Sequence, residues 1–284
     1  MKTLPVTATV TRALQYCQQQ GLERLDAQML VLLACGQGLH QRAWLLTHDG
    51  DVLSQAQLAT LQTTLARRLA GEPMAYITGV KEFFGLPLQV DARVLDPRAD
   101  TETLVEWALA LLQQRLAPRV VDLGTGSGAI ALALKSHCPA ARVEAVDTSA
   151  DALAVARANA RQLQLDVHFA QGSWLEPVQG DFDLIVSNPP YIAAADPHLA
   201  ALRHEPLSAL ASGADGLDDI RRIILQGTQH LRPGGWLLLE HGYDQAEAVC
   251  ALLASAGFVQ AQSRCDLAGI ARCSGAQWPA RDST

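Results

Sequence analysis

Asn188-Pro189-Pro190-Tyr191 closes the apolar run Phe182-Asp183-Leu184-Ile185-Val186-Ser187 and gathers the groups needed to hold a planar amine. The run predicts a buried strand. Two prolines then force the chain into a stiff loop, since each fixes φ near about −65° and lacks an N–H. The carbonyls of Asn188 and Pro189 are thereby left without ladder partners and can face a ligand. The Asn188 side chain offers one acceptor and two donors, and Tyr191 offers a flat ring. Two carbonyl-type acceptors suit the two hydrogens of an –NH2 group, with the ring stacked on its plane. A Pro-Pro turn after a strand can also be only a turn, so the motif needs a second signal beside it.

That signal lies upstream, in Val120-Val121-Asp122-Leu123-Gly124-Thr125-Gly126-Ser127-Gly128-Ala129-Ile130-Ala131-Leu132. An apolar strand runs into a glycine-rich turn, and a helix of small residues follows. Gly124, Gly126 and Gly128 allow positive φ and let the backbone approach a ligand with no Cβ in the way. Thr125 and Ser127 complete the turn, and the helix N-terminus behind it presents free N–H groups. A second strand, Arg142-Val143-Glu144-Ala145-Val146-Asp147, ends in a carboxylate suited to ribose hydroxyls.

Two cofactor classes fit this turn. Gly124, Gly126 and Ala129 satisfy the dinucleotide pattern. Asp122, Gly124, Gly126 and Gly128 satisfy the D/E-x-G-x-G-x-G pattern of S-adenosylmethionine-dependent methyltransferases. No acid/base set for hydride transfer accompanies the turn, whereas an amine-gripping loop does, which favours methyl transfer to nitrogen.

Further stretches resemble the peptide-chain release factor N5-glutamine methyltransferases, the PrmC or HemK family. They are Gly71-Glu72-Pro73-Met74-Ala75-Tyr76-Ile77-Thr78-Gly79, Pro97-Arg98 with Thr101-Glu102, Asp122 to Ile130, Ser187 to Ile192, Glu205-Pro206, and Leu238 to Gly242 with Gln245. The resemblance spans nearly the whole chain, in order. Its departures are Asp96 and Ala99 in Leu95-Asp96-Pro97-Arg98-Ala99, His204 in place of an aromatic, and Ala271 where an acid is common.

The resemblance implies a Rossmann-like α/β methyltransferase domain with an N-terminal helical bundle and a linking β-hairpin. It implies S-adenosylmethionine on Gly124, Thr125, Gly126, Ser127, Gly128, Asp147, Trp174 and Asn188. A glutamine amide falls on Asn188, Pro189, Pro190 and Tyr191, of which Asn188, Pro189 and Tyr191 carry the chemistry. Trp174 falls where this superfamily covers the adenine ring, although a partly buried core tryptophan would look the same in sequence. The implied substrate is the Gly-Gly-Gln loop of release factors.

Composition narrows the field. The chain has 284 residues, 49% hydrophobic and 18% charged, as in ordinary globular proteins. No apolar run of about 18 residues predicts a membrane span, and Met1-Lys2-Thr3-Leu4-Pro5 lacks the apolar core of a signal peptide. Six cysteines with no C-x-x-C pair fit reduced thiols in a cytosol better than disulfides or zinc. Twenty-two basic residues against 29 acidic ones, a net charge of −7, argue against a nucleic-acid partner. A cytoplasmic monomer acting on protein, without metal, membrane or direct nucleic-acid contact, is expected.

Three parts are expected along the chain. In residues 1–75, Ala27, Leu30, Val31 and Ala34 repeat at helical spacing, as do Leu58, Leu61, Leu65 and Leu69 behind a Ser54/Gln57 capping box. This bundle carries no catalytic cluster and serves either substrate recognition or stability. Residues 76–97 read as a hairpin linker, from Tyr76-Ile77-Thr78 and Phe83-Phe84 to Leu86–Val90, punctuated by Gly79 and Gly85. Residues 98–284 alternate strands and helices, as in a parallel sheet. Helices are expected at Ala152–Gln162 and Asp218–Leu231, with strands at Val167–Ala170 and Trp236–Glu240. Glu205 and Glu240 are acids near the site for which structural hydrogen bonding is expected, and His241 reads as a satisfied strand-end histidine. Methylation of a nucleobase amine and a non-catalytic cofactor-binding scaffold remain as alternatives.

Overall fold

The computed structural model of the chain describes residues 7–280, which divide into two compact units on either side of the Gly79–Val80 bond. The first unit is helical: α1 Val10–Gln19, α2 Arg24–Ala34, α3 Arg42–Thr47, α4 Gln55–Leu69 and α5 Met74–Thr78. The stripe Ala27, Leu30, Val31 and Ala34 is buried, as are Leu58, Leu61 and Leu65. Leu69, the last residue of α4, departs from that stripe and is 43% exposed. The Ser54 hydroxyl accepts from the Gln57 N–H while Gln57 Oε1 accepts from the Ser54 N–H, closing the capping box. Arg67 and Arg68 pair with Glu72 and Asp26, so the twin arginines fasten this unit to itself.

One element differs from expectation. Tyr76-Ile77-Thr78 belongs to α5, not to a strand. Pro73 sits just before the helix, and Gly79 at φ +76° ends it. Thr78 Oγ1 bonds back to the Met74 carbonyl. These brackets override the β preference of Tyr, Ile and Thr, because a helix cap is a local hydrogen-bonding fact whereas β-propensity depends on neighbours. The hairpin therefore begins later, as β1 Val80–Phe83 and β2 Leu86–Gln89.

The remaining elements of the second unit are α6 Glu102–Leu112, β3 Arg119–Leu123, α7 Ala129–His137, β4 Arg142–Asp147, α8 Ala150–Leu163 and β5 His168–Gln171. They continue with β6 Phe182–Ser187, α9 Asp218–His230, β7 Leu231–Glu240, α10 Ala246–Ser255, β8 Val259–Cys265 and β9 Ala271–Gln277. Seven strands form one sheet in the order β5-β4-β3-β6-β7-β9-β8. β3 to β7 run parallel, and β9 is antiparallel to both its neighbours. β7 starts at Leu231, and its register against β6 shifts between Phe182 and Leu184, taking up the Gly234-Gly235 pair. Val121, Leu123, Ile185, Leu237 and Leu239 pack with Ile220, Ile223 and Ile224 of α9 and Val249 and Leu253 of α10. Each such side chain contributes about 1.5–3 kcal/mol by leaving water.

The chain enters the sheet at β3, winds outward through β4 and β5, then returns to β6 on the other side of β3. This reversal opens a crevice at the carboxyl ends of β3 and β6, where ligands bind in open α/β sheets. Among the described residues no helix is long and apolar enough to cross a membrane.

Candidate active site

The glycine turn occupies the carboxyl end of β3. Gly124, Gly126 and Gly128 have φ of +70°, +55° and +84°, the left-handed region that other residues enter at a cost. The Gly124 and Thr125 N–H groups both donate to the Val146 carbonyl, at 2.8 and 2.9 Å, locking the turn to β4. A Cβ built at Gly126 would meet nothing within 4 Å, so this backbone faces open space. At Gly124 a Cβ would meet the Trp174 ring at 3.3 Å, so the indole lies against the turn.

Asp122 is fully buried below the turn. Its Oδ2 accepts from Thr125 Oγ1 at 2.6 Å and from the Ala131 N–H at 3.2 Å, while Oδ1 has no partner. Burial pushes its carboxyl up to about 7. Asp147, at the end of β4, accepts from the Gly126 N–H through Oδ2 and from the Ser149 N–H through Oδ1, both at 2.9 Å. A carboxylate has about four lone-pair sites, so capacity remains for hydroxyl donors. Ser127 is held from below, its carbonyl accepting from the buried Asn159 Nδ2 at 2.9 Å.

A cavity of about 240 Å³ opens beside the turn. Gly124, Gly126, Asp147, Trp174, Asn188 and Pro190 line it, which brings these expected residues of turn and loop to one place, while Thr125, Ser127, Gly128, Pro189 and Tyr191 are not part of the lining. Its lining also includes Pro206, from the Glu205-Pro206 stretch of the resemblance, and Arg93 and Arg222, which no local sequence signal marks. The cradle suits S-adenosylmethionine: open glycine backbone, unused carboxylate capacity on Asp147 and an indole face.

The loop from Asn188 to Tyr191 leaves β6 as expected and is tied at several points. Ser187 Oγ donates to the Leu123 carbonyl at 2.7 Å. Asn188 Nδ2 donates to Thr101 Oγ1 at 3.3 Å. The Tyr191 carbonyl accepts from Gln245 Nε2 at 3.1 Å, and Ile192 bridges to the segment at Leu210–Ala211. The Tyr191 hydroxyl donates to Glu240 Oε1 at 3.4 Å. Burial, then the neighbouring Glu240 carboxyl, pushes the Tyr191 phenol up. Thr101 and Gln245 fall within the stretches that carry the resemblance, but their roles emerge only from contacts across the fold.

Glu205 is buried and accepts from Arg98 Nη2 at 2.5 Å and from the Asp96 N–H at 3.3 Å. Asp96, a departure from the family pattern, is buried between Lys81 at 3.3 Å and Arg98 at 3.6 Å, which offset its charge. His241 is buried, with Nδ1 against the Gly242 carbonyl and Nε2 against Ser274 Oγ, both at 2.8 Å. The carbonyl requires Nδ1 to carry the hydrogen, so Nε2 accepts from the serine, and burial lowers the pKa of this neutral ring.

Residues 9–79 match the family model of the PrmC N-terminal domain, and residues 100–246 match the methyltransferase small domain. A release factor glutamine methyltransferase from Bordetella pertussis is 53% identical over 259 residues, covering 90% of this chain and 95% of that protein. One from Burkholderia pseudomallei is 46% identical over 288 residues, covering 98% and 99%. A methyltransferase of solved structure from Pyrococcus furiosus aligns at a TM-score of 0.53 and 18% identity, covering 77% of this chain and 99% of that one, a likeness of fold. The chain belongs to the release factor glutamine methyltransferase family, PrmC or HemK, whose members depend on S-adenosylmethionine.

Proposed function

We propose that the protein transfers a methyl group from S-adenosylmethionine to the side-chain amide nitrogen of the glutamine in the Gly-Gly-Gln loop of peptide-chain release factors. The observation that carries this reading is the meeting of Asn188 with Gly124, Gly126 and Asp147 around one cavity. Gly124, Thr125, Gly126, Ser127, Gly128, Asp147 and Trp174 hold the cofactor, and Asn188 stands where both ligands meet. Pro189, Pro190 and Tyr191 complete the amide site.

When bound, the cofactor supplies an electrophilic methyl on a sulfonium. An amide nitrogen is a poor nucleophile because its lone pair is delocalised into the carbonyl, so placement must do what reactivity cannot. Asn188 Oδ1 and the Pro189 carbonyl accept the two amide hydrogens and direct the lone pair, while the Tyr191 ring covers the amide plane. Holding reactants in a near-attack arrangement can remove about 7–11 kcal/mol of the barrier. Held by the glycine turn, Asp147 and Trp174, the cofactor would give its methyl to the amide nitrogen and depart as the neutral thioether, and one N–H proton would pass to solvent afterwards. No side chain is assigned as general base: His241 is engaged at both nitrogens and Glu205 is held by Arg98.

The helical unit over residues 1–75 supplies contacts to the body of the release factor. The protein acts as a monomer in the cytosol, and its charge of −7 disfavours an RNA substrate. Incubation with methyl-labelled S-adenosylmethionine and either purified release factor or total RNA tests the reading. Label on the release-factor glutamine is the expected result; label confined to RNA would replace it with nucleobase methylation.

A further inference from the structure

The loop from Asn188 to Tyr191 carries two prolines in succession, and a proline has no N–H to offer a neighbour. Such a loop is fastened from outside chiefly through its carbonyls. Gln245 takes one of them. Its Nε2 donates to the Tyr191 carbonyl at 3.1 Å and to the Asp215 carbonyl at 3.2 Å. Its Oε1 accepts the Gly242 N–H at 2.8 Å, and its backbone N–H returns to the Gly242 carbonyl at 3.0 Å. Carbonyls only accept and a backbone N–H only donates, so the side-chain amide has one possible orientation. Three chain segments thus meet on one side chain: the end of the acceptor loop, the turn before α9 and the turn after β7.

The turn before α9 is shaped for this meeting. Gly216 has φ +78°, and a Cβ there would collide with the Tyr191 carbonyl oxygen and come within 2.8 Å of Gln245 Nε2. Glycine alone, lacking that atom, lets the three groups come so close. Beyond Tyr191 the chain is tied again, the Ile192 N–H donating to the Leu210 carbonyl and the Ser212 N–H to that of Ile192, both at 2.9 Å. Gln245 does not line the cofactor cavity.

We propose that Gln245 is a positioning residue: by holding the Tyr191 carbonyl against the two turns, it sets where the acceptor loop stands relative to the cofactor. Fixed φ at Pro189 and Pro190 makes this loop stiff, so a shift at Tyr191 is passed back to Asn188 and not absorbed between them. The ring that covers the amide and the acceptors that aim it therefore move together. The proposal rests on the reading of this loop as an amide site.

The test compares wild type with Gln245→Glu, Gln245→Met and Gly216→Ala in the full chain. Gln245→Glu is the decisive change. It keeps an oxygen for the Gly242 N–H but, ionised at about pH 8, turns a second oxygen towards two carbonyls. Its kcat at saturating cofactor and release factor should fall roughly ten- to hundred-fold, since a misplacement of about 1 Å can cost about a hundred-fold. The KM for S-adenosylmethionine and its affinity by calorimetry should stay within a few-fold of wild type. Gln245→Met, which makes neither bond, should lose the rate as well. Gly216→Ala pushes on the same carbonyl from the other side and should lower kcat with the same split. Backbone hydrogen exchange separates the two anchors: the Gly242 N–H should stay slow in Gln245→Glu and turn fast in Gln245→Met. A rate lost in Gln245→Met but kept in Gln245→Glu would assign the side chain to the turn after β7 alone and overturn the proposal. Cofactor affinity falling in step with kcat, or Gly242 protection lost together with the rate in Gln245→Glu, would overturn it too. If wild type labels RNA rather than release factor, the substrate reading fails by itself, and the same ratios on RNA still decide the role of Gln245.

Discussion

Asp147 Oδ2 accepts the Gly126 N–H at 2.9 Å, so the tip of β4 holds the turn that follows β3. The acid proposed to receive the cofactor hydroxyls also shapes the glycine turn beside the cavity. Binding and loop geometry are therefore linked through one carboxylate, and damage at either residue should reach the other.

Gly126→Val should abolish cofactor binding without unfolding the protein. A β-branched residue at φ +55° costs on the order of 1–3 kcal/mol, and its side chain would extend into the open space beside the turn. Calorimetry with S-adenosylmethionine should register no heat, while the circular dichroism melt stays cooperative. Binding at wild-type affinity would show that the cofactor lies elsewhere.

Asn188→Ala should abolish methyl transfer with cofactor affinity reduced only modestly. Losing an acceptor aimed at the reacting amide should cost about 2–4 kcal/mol in the barrier, the range for oriented polar groups at reacting centres. Single-turnover rates and calorimetry on the same preparation separate the two effects. A collapse of affinity in parallel with the rate would make Asn188 chiefly a cofactor residue.

Asp122→Asn should flatten the dependence of stability on pH. Burial raises this carboxyl from 3.8 to about 7 in the folded chain, more than its bonds to Thr125 and Ala131 lower it. The folded state thus holds its proton where the unfolded state has released it. Stability from this group is full below about pH 4, falls as pH rises, and is lost above about pH 7, a change on the order of 4 kcal/mol. Asparagine keeps an acceptor for Thr125 and cannot ionise. Urea midpoints at about pH 5 and pH 8 should converge in the variant relative to wild type; an unchanged difference would exclude Asp122 as its source.

A chain beginning at Val80 should retain cofactor binding, since the residues assigned to that site lie beyond position 120. It should lose most activity on intact release factor, because a Gly-Gly-Gln loop offers few contacts beyond the glutamine, and remote binding energy supports turnover as well as affinity. Calorimetry on the shortened chain is the control. Full activity on intact release factor would leave the helical unit a stabiliser only.

Local signals in the sequence were enough for what is built locally. The Gly124–Gly128 turn, the strand ending at Asp147 and the loop at Asn188 each combine a strand signal with its terminator, and each stands where expected. Tyr76–Thr78 misled because aromatic and β-branched residues favour strands, while the helix caps at Pro73 and Gly79 act on the backbone. β8, exposed along its length, shows no alternation of burial that could announce it. The partners Glu205 and Arg98, or Asn188 and Thr101, stand 107 and 87 residues apart and meet only through the sheet order. No window along the chain could pair them.

Asn159 treats Gln89 as a neighbouring strand would, donating to its carbonyl at 3.0 Å and accepting its N–H at 2.7 Å. Its remaining amide hydrogen holds the Ser127 carbonyl in the glycine turn. The hairpin cannot swing open without disturbing the amide that supports this turn, so the two share an opening event. Linkage then requires a ligand that quiets the turn to quiet the hairpin too. Backbone hydrogen exchange at Gln89, which lies outside the lining of the cofactor cavity, should slow when S-adenosylmethionine binds, and that coupling should vanish in Asn159→Ala. Through one buried amide, the edge of a two-stranded hairpin becomes a reporter of cofactor occupancy.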